Sequence, residues 1–177
     1  HTTEKHEVKA GEGDVNTEAG TITWTALHLE GVHAYEEING KKVMKYIDKA
    51  YITKDEELID TWKVFVSKAN QDLSKLPMKV CPNHFVGEPN EISTYTYNQL
   101  GSFKTQKEAE NLSNALSNSY IINALIIVNV STQDFLMRQY SNVPNFDWSK
   151  PWDDEMLMKE LGITEEEMNI IKEFVKI

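Results

Sequence analysis

Asn142-Val-Pro-Asn-Phe-Asp-Trp-Ser-Lys-Pro-Trp-Asp-Asp-Glu155, running on into Met156-Leu-Met-Lys-Glu-Leu-Gly-Ile-Thr-Glu-Glu-Glu167, is the stretch whose reading decides how this chain is built. Pro151 suits the first turn of a helix, Asp153 and Asp154 can cap that helix and complement its dipole, and Gly162 can end it in a left-handed conformation. The spacing predicts a short helix over roughly Asp153 to Leu161. Thr164 with Glu167 three residues later forms a capping box, and Ile163 packing toward Met168 supplies the hydrophobic staple of a second helix. Two short helices joined by a tight turn resemble a helix-turn-helix in outline. Their acidity argues against groove reading, because attraction to phosphate dominates affinity for DNA. The pair is expected to close over a core.

Working backward, Tyr120 to Val130 is the longest apolar run and reads as a buried helix, with Glu108 to Leu116 before it and a possible kink near Ser117-Asn118. Thr105-Gln-Lys-Glu108 is a second capping box. The expectation is that the chain turns into this helix over Gln99 to Lys104. Ahead of it the pattern changes to strands. Ile92 to Tyr97 alternates, Lys63 to Lys68 places Val64 and Val66 on one face, and Thr21 to Leu29 is rich in β-branched residues. Val32 to Ile38 and Lys41 to Ile47 flank Asn39-Gly40, the pair suited to a type I′ hairpin turn. Asp55 to Trp62 reads as a short acidic helix or turn, and Asn70 to Asn90 as loop. Antiparallel strands in the N-terminal and central part, helices in the last third and a two-helix cap make an α+β fold. Residues 1–20 read as a flexible arm and 21–177 as a single domain. His1 in place of a methionine suggests a C-terminal piece of a larger protein.

Composition narrows the class. The chain has 177 residues, of which 40% are hydrophobic and 10% aromatic, with a net charge of −10. That is globular, and no apolar run has membrane-span length. The lone Cys81 allows no internal disulfide and suits a reducing, cytoplasmic setting. Charge is unevenly spread: residues 1–36 and 147–177 each sum to −5, whereas Lys41 to Lys79 holds nine lysines against six acids. If any part meets phosphate, Lys41, Lys42, Lys45 and Lys49 are the first candidates. No P-loop, Gly-x-Ser-x-Gly, Cys-x-x-Cys or His-Glu-x-x-His occurs. His28, His33, Cys81 and His84 match no standard zinc spacing. Cys81 with His84, three residues apart in a proline-containing loop, fixes no nucleophile geometry.

Three blocks carry a resemblance. Ile59-Asp-Thr-Trp-Lys-Val-Phe-Val-Ser-Lys-Ala69, then Thr94-Tyr-Thr-Tyr97 with Gly101-Ser-Phe-Lys-Thr-Gln-Lys-Glu-Ala-Glu-Asn-Leu112, then Val143-Pro144 with Ser149-Lys-Pro-Trp152 and Leu161-Gly-Ile-Thr-Glu-Glu-Glu167, follow in order. Together they resemble the C-terminal, target-recognition region of bacterial restriction-modification adenine-specific DNA methyltransferases of the type IIG and type III-like kind. The resemblance covers roughly residues 41–177. It implies a DNA target-recognition domain, non-catalytic in isolation. Double-stranded DNA and the methyltransferase part of the parent chain would be its partners, and S-adenosylmethionine would be the cofactor of that parent only. It further implies DNA contacts at Ser67, Lys68, Thr94, Thr96, Thr132, Gln133 and Arg138. The chain departs from the family pattern where Ile126-Ile127-Val128 replace basic residues. The acidic ends leave open a protein-interaction or regulatory module that docks on its own enzyme. A restriction nuclease, with Glu56, Glu57 or Glu88 near Lys63 or Lys68 around a metal, is a third possibility.

Overall fold

A computed structural model describes residues 5–9, 21–25, 32–39, 41–47, 49, 52, 55–68, 76–81, 83–94, 96–128 and 137–177. The hairpin forms as its turn residues dictate. Strands β3 (Val32–Ile38) and β4 (Lys41–Ile47) pair antiparallel from Val32 opposite Ile47 to Ile38 opposite Lys41, so only Asn39-Gly40 connects them. Asn39 has φ 51°, the positive value that a type I′ turn requires. Within the stretch read as an arm, β1 (Lys5–Lys9) pairs with β2 (Thr21–Thr25), and β2 meets β4 at Trp24 opposite Ile47. On the other side β8 (Glu91–Ser93) runs parallel to β3, completing a sheet of order β1-β2-β4-β3-β8.

A second sheet has the order β7-β5-β9, with β5 (Trp62–Ser67) between β7 (His84–Gly87) and β9 (Tyr97–Phe103), all antiparallel. β5 alternates as expected. Val64 and Val66 enter the larger core, whereas Lys63 and Phe65 lie on the opposite face and are also buried. Helix α1 (Gln106–Asn118) covers the Val64 face, and α2 (Tyr120–Ile127) extends the same core beyond it. Their side chains Leu112, Leu116, Ile121, Ile122 and Ile126 form one cluster with Trp148, Leu157 and Met168. Burying each such aliphatic chain contributes about 1.5–3 kcal/mol. The last two come from α3 (Asp154–Leu161) and α4 (Glu165–Phe174), which close the core as the opening stretch implied. Both caps are present: Asp153 accepts from the Met156 N–H at 2.8 Å, and Thr164 and Glu167 form the reciprocal box. Gly162 ends α3 at φ 70°, a conformation in which a side chain would be strained.

Two expectations are corrected. Gln99 to Phe103 is strand rather than the approach to a helix, because Val64 pairs with Leu100 and Phe65 with Gln99; α1 starts only after the Thr105 cap. The Asn70 to Asn90 loop holds β7 and a short strand β6 (Met78–Lys79), which pairs in parallel with β10 (Val175–Lys176) at the chain's far end. These pairings are long-range, and local alternation over so few residues cannot announce them. The break between α1 and α2 is at Ser119, in extended conformation. Its hydroxyl accepts from the Ile122 N–H at 3.0 Å and donates to Asp154 at 2.6 Å. The Asp154 carboxylate also accepts from the Tyr120 and Ile121 amides at 3.0 and 3.2 Å.

What joins the sheets is Lys63. Its Nζ is fully buried and donates to the carbonyls of Leu58 (2.9 Å), Ile59 (2.8 Å) and Glu91 (2.8 Å). The first two carbonyls close the 3-10 helix Glu56–Leu58, and the third lies on β8. The Glu91 carboxylate in turn accepts from the Tyr35 hydroxyl at 2.7 Å and from the Glu88 amide at 2.8 Å, with His33 Nδ1 3.8 Å away. Burial pulls the Lys63 ammonium down from 10.5 to about 8, with Glu91 and then Asp60 opposing. Below about 8 the group is charged in both folded and unfolded chains. Between about 8 and 10.5 the unfolded chain keeps a proton that the folded chain releases, so stability rises with pH across that window. Lys63→Met is expected to lose about 1–3 kcal/mol at neutral pH, since three carbonyls lose their donor, and to flatten that rise. Urea unfolding at a series of pH values reads both effects.

Candidate nucleic-acid interface

Five of the residues expected to meet DNA converge where the two sheets join. The β5–β9 pairing places Ser67 opposite Tyr97, and the Lys68 amide extends it by donating to the Thr96 carbonyl at 2.9 Å. The Thr94 amide extends β8 along β3 by donating to the Tyr35 carbonyl at 2.8 Å. Thr94 and Thr96 share a hydroxyl hydrogen bond of 2.9 Å. The floor is aromatic. Phe85 lies edge-on to Tyr35 (centroids 5.0 Å apart) and to Tyr97 (5.4 Å), and tilted against Phe65 at 5.3 Å. Lys42 Nζ sits 3.9 Å from the Phe85 ring centre and 4.8 Å from that of Tyr35. Gly87 makes room for this packing, since a Cβ there would fall 2.4 Å from a Phe65 ring carbon.

The arrangement sorts the candidates. Ser67 and Thr94 are buried and serve the fold, whereas Thr96 and Lys68 are half-buried at the corner and Lys42 is exposed above its rings. Lys41 and Lys45 project from the face of β4 opposite Lys42, because strand side chains alternate. Lys49 pairs with Asp60 at 3.5 Å. Arg138 lies in the 3-10 segment Met137–Asn142. Thr132 and Gln133 fall outside the described residues. Cations beside aromatic rings are what a site needs to neutralise backbone phosphate and to stack on bases. Sequence reading missed Tyr35, Phe85 and Tyr97 as part of this corner. Tyr97 stood in the alternating Thr94-Tyr-Thr-Tyr97 run, but Phe85 had been read as loop and nothing local tied it to Tyr35.

The other candidates can be placed as well. All three Lys63 donors are spent on carbonyls, so that ammonium cannot serve a nuclease metal site. Among the described residues no three His, Cys, Asp or Glu side chains gather as a metal site. Cys81 and His84, whose spacing alone fixed nothing, do meet: Sγ is 3.5 Å from Nδ1. The His84 Nε2 lies 3.1 Å from the Ser113 carbonyl and 3.0 Å from Ser117 Oγ, which makes Nε2 the protonated nitrogen and turns Nδ1 to the thiol as acceptor. Yet burial pushes the Cys81 thiol up to about 12, Lys79 opposing, so it is a buried neutral group rather than a nucleophile. Comparison with family models, with curated proteins and with solved structures gives no match.

Two measurements follow from these environments. Lys42→Met is expected to lose about 0.5–1 kcal/mol of stability in urea unfolding, the worth of an exposed cation–π contact, and more than Lys49→Met, whose exposed ion pair is worth less. At pH 8 Cys81 is expected to react with a disulfide reagent on the order of 100-fold or more slowly in the folded chain than in urea, because burial removes its thiolate. Equal rates in the two states would show that the thiol is accessible.

Proposed function

We propose that this chain is the DNA target-recognition domain of a bacterial restriction-modification adenine-specific DNA methyltransferase. It carries no catalytic centre of its own and works with the methyltransferase part of its parent, which binds S-adenosylmethionine. The observation that carries this reading is that the three resembling blocks, far apart along the chain, build one body. Val64 and Val66 of the first, Ala109 and Leu112 of the second, and Trp148 and Leu157 of the third and its connecting stretch lie in a single hydrophobic cluster. That the three blocks share one core supports reading them together as parts of one unit. The corner formed by Lys42, Lys68 and Thr96 over Tyr35 and Phe85 is the surface proposed to meet duplex DNA, with Arg138 as a further phosphate contact.

A docking role for the helical cap is part of the same reading. Ile170 and Phe174, one turn apart on α4, are 51% and 46% exposed beside an acidic first turn of Glu165, Glu166 and Glu167. An apolar stripe framed by acids suits a basic face of the enzyme's own catalytic portion.

Duplex binding by the intact methyltransferase over a range of salt concentrations tests the proposal. Lys42→Ala and Lys68→Ala combined are expected to weaken binding similarly on target and non-target duplexes and to reduce the salt slope by about one unit per lysine. Thr96→Val is expected to change the ratio between target and non-target. Unaltered affinity, slope and site choice in all of these variants would overturn it.

A further inference from the structure

A cavity of about 450 Å³ lies on the side of the molecule where the short parallel pair β6–β10 meets α1. Lys79, Asn83, His84, Ser113, Ser117 and Lys176 contribute to its lining. Met78 is opposite Val175 and Lys176 opposite Lys79, so the apolar pair faces the core and the two lysines are neighbours on the other face. Like charges directly opposite on neighbouring strands repel. Among the described residues no Asp or Glu side chain lines this cavity, although Ile177 with its main-chain carboxylate does. The thiol at its inner end adds no negative charge, since burial keeps Cys81 protonated. The polar wall is also held in place. His84 is fixed between Cys81 and the Ser113 carbonyl, and the Ser117 hydroxyl bridges His84 and that same carbonyl. Asn123 anchors the Cys81 amide at 3.0 Å and donates to the carbonyls of Leu116 and Ser119, which rigidifies the wall from behind.

We propose that this cavity is a binding site for a phosphate group, with Lys79 and Lys176 supplying the charge and the Asn83 side chain a polar contact at the wall. A phosphate between the two lysines converts their mutual repulsion into paired attraction, and its oxygens accept charge-assisted hydrogen bonds. Phosphate is the shared chemistry of two sources, a DNA backbone and a free phosphorylated small molecule. The site does not depend on the DNA reading of the sheet corner, because it uses none of the same residues.

The test titrates inorganic phosphate into the full chain at constant ionic strength, with chloride as the balancing anion, and follows backbone amide shifts and thermal stability. A saturable, phosphate-specific response at Lys79, Asn83 and Lys176 is expected. In the double variant Lys79→Gln, Lys176→Gln the apparent Kd is expected to be weaker by on the order of tenfold or more, the scale of losing charge-assisted contacts. Both lysines are exposed, so the fold should survive the change; Asn83→Ala, also at an exposed position, provides a second variant, expected to weaken binding by a smaller factor. A salt-dependence measurement on duplex DNA with the same full chain separates the sources. A slope lower by about two in the double variant assigns the site to backbone phosphate, and an unchanged slope, with the phosphate response lost, assigns it to a small molecule. No saturable response to phosphate, or the same response in both variants, overturns the proposal.

Discussion

One ammonium group holds the two halves of the strand region together. Lys63 points from β5 into a space with no solvent and fills three carbonyl acceptors, two at the end of a 3-10 turn and one on the neighbouring sheet. A buried charge is expensive unless its hydrogen bonds are complete, and here all three donors are used. The consequence runs through Glu91. With its backbone oxygen held by Lys63, its carboxylate is presented to Tyr35 and the Glu88 amide, which fixes β8 beside β3 and orients the Tyr35 ring toward Phe65 and Phe85. The position of the sheet corner thus derives from a residue that touches neither its lysines nor its threonines.

Much of this was legible from short-range patterns. Asn39-Gly40, the Thr105 and Thr164 boxes, Asp153 and Gly162 each act on backbone groups within four residues, and each does in the structure what its chemistry requires. The face-to-face alternation of Val64 and Val66 was equally readable. What escaped was set by partners distant in sequence. A lysine inside Trp62–Ser67 looks like surface until the carbonyls of residues 58, 59 and 91 are seen around it. The strand at Gln99 to Phe103 was obscured by the strong helix start just beyond it, and β6 is too short to carry a pattern.

The candidate interface shows the same division. Residue type pointed to lysines and threonines, and burial separates them: Ser67 and Thr94 are held inside, while Lys68 and Thr96 reach the corner. Lysine density in Lys41 to Lys79 turned out to be a poor guide to common placement, because alternation sends neighbours on β4 to opposite faces and Lys49 is matched with Asp60. Aromatic rings, which no charge count includes, determine where the corner's cation sits.

Asp154 gives the C-terminal helices a meaning beyond covering apolar surface. It begins α3 by position, yet its carboxylate is the N-terminal partner of α2, taking the Tyr120 amide 34 positions away along the chain. The inner helix therefore lacks a complete start until Asp154 has arrived. During synthesis Tyr120–Ile127 has only its Ser119 cap while roughly thirty further residues emerge, and its apolar surface is open to premature association over that interval. Amide exchange at Tyr120 and Ile121 would then report the opening of a latch formed by a residue far downstream, so that the last helices and the core helix release together rather than in turn.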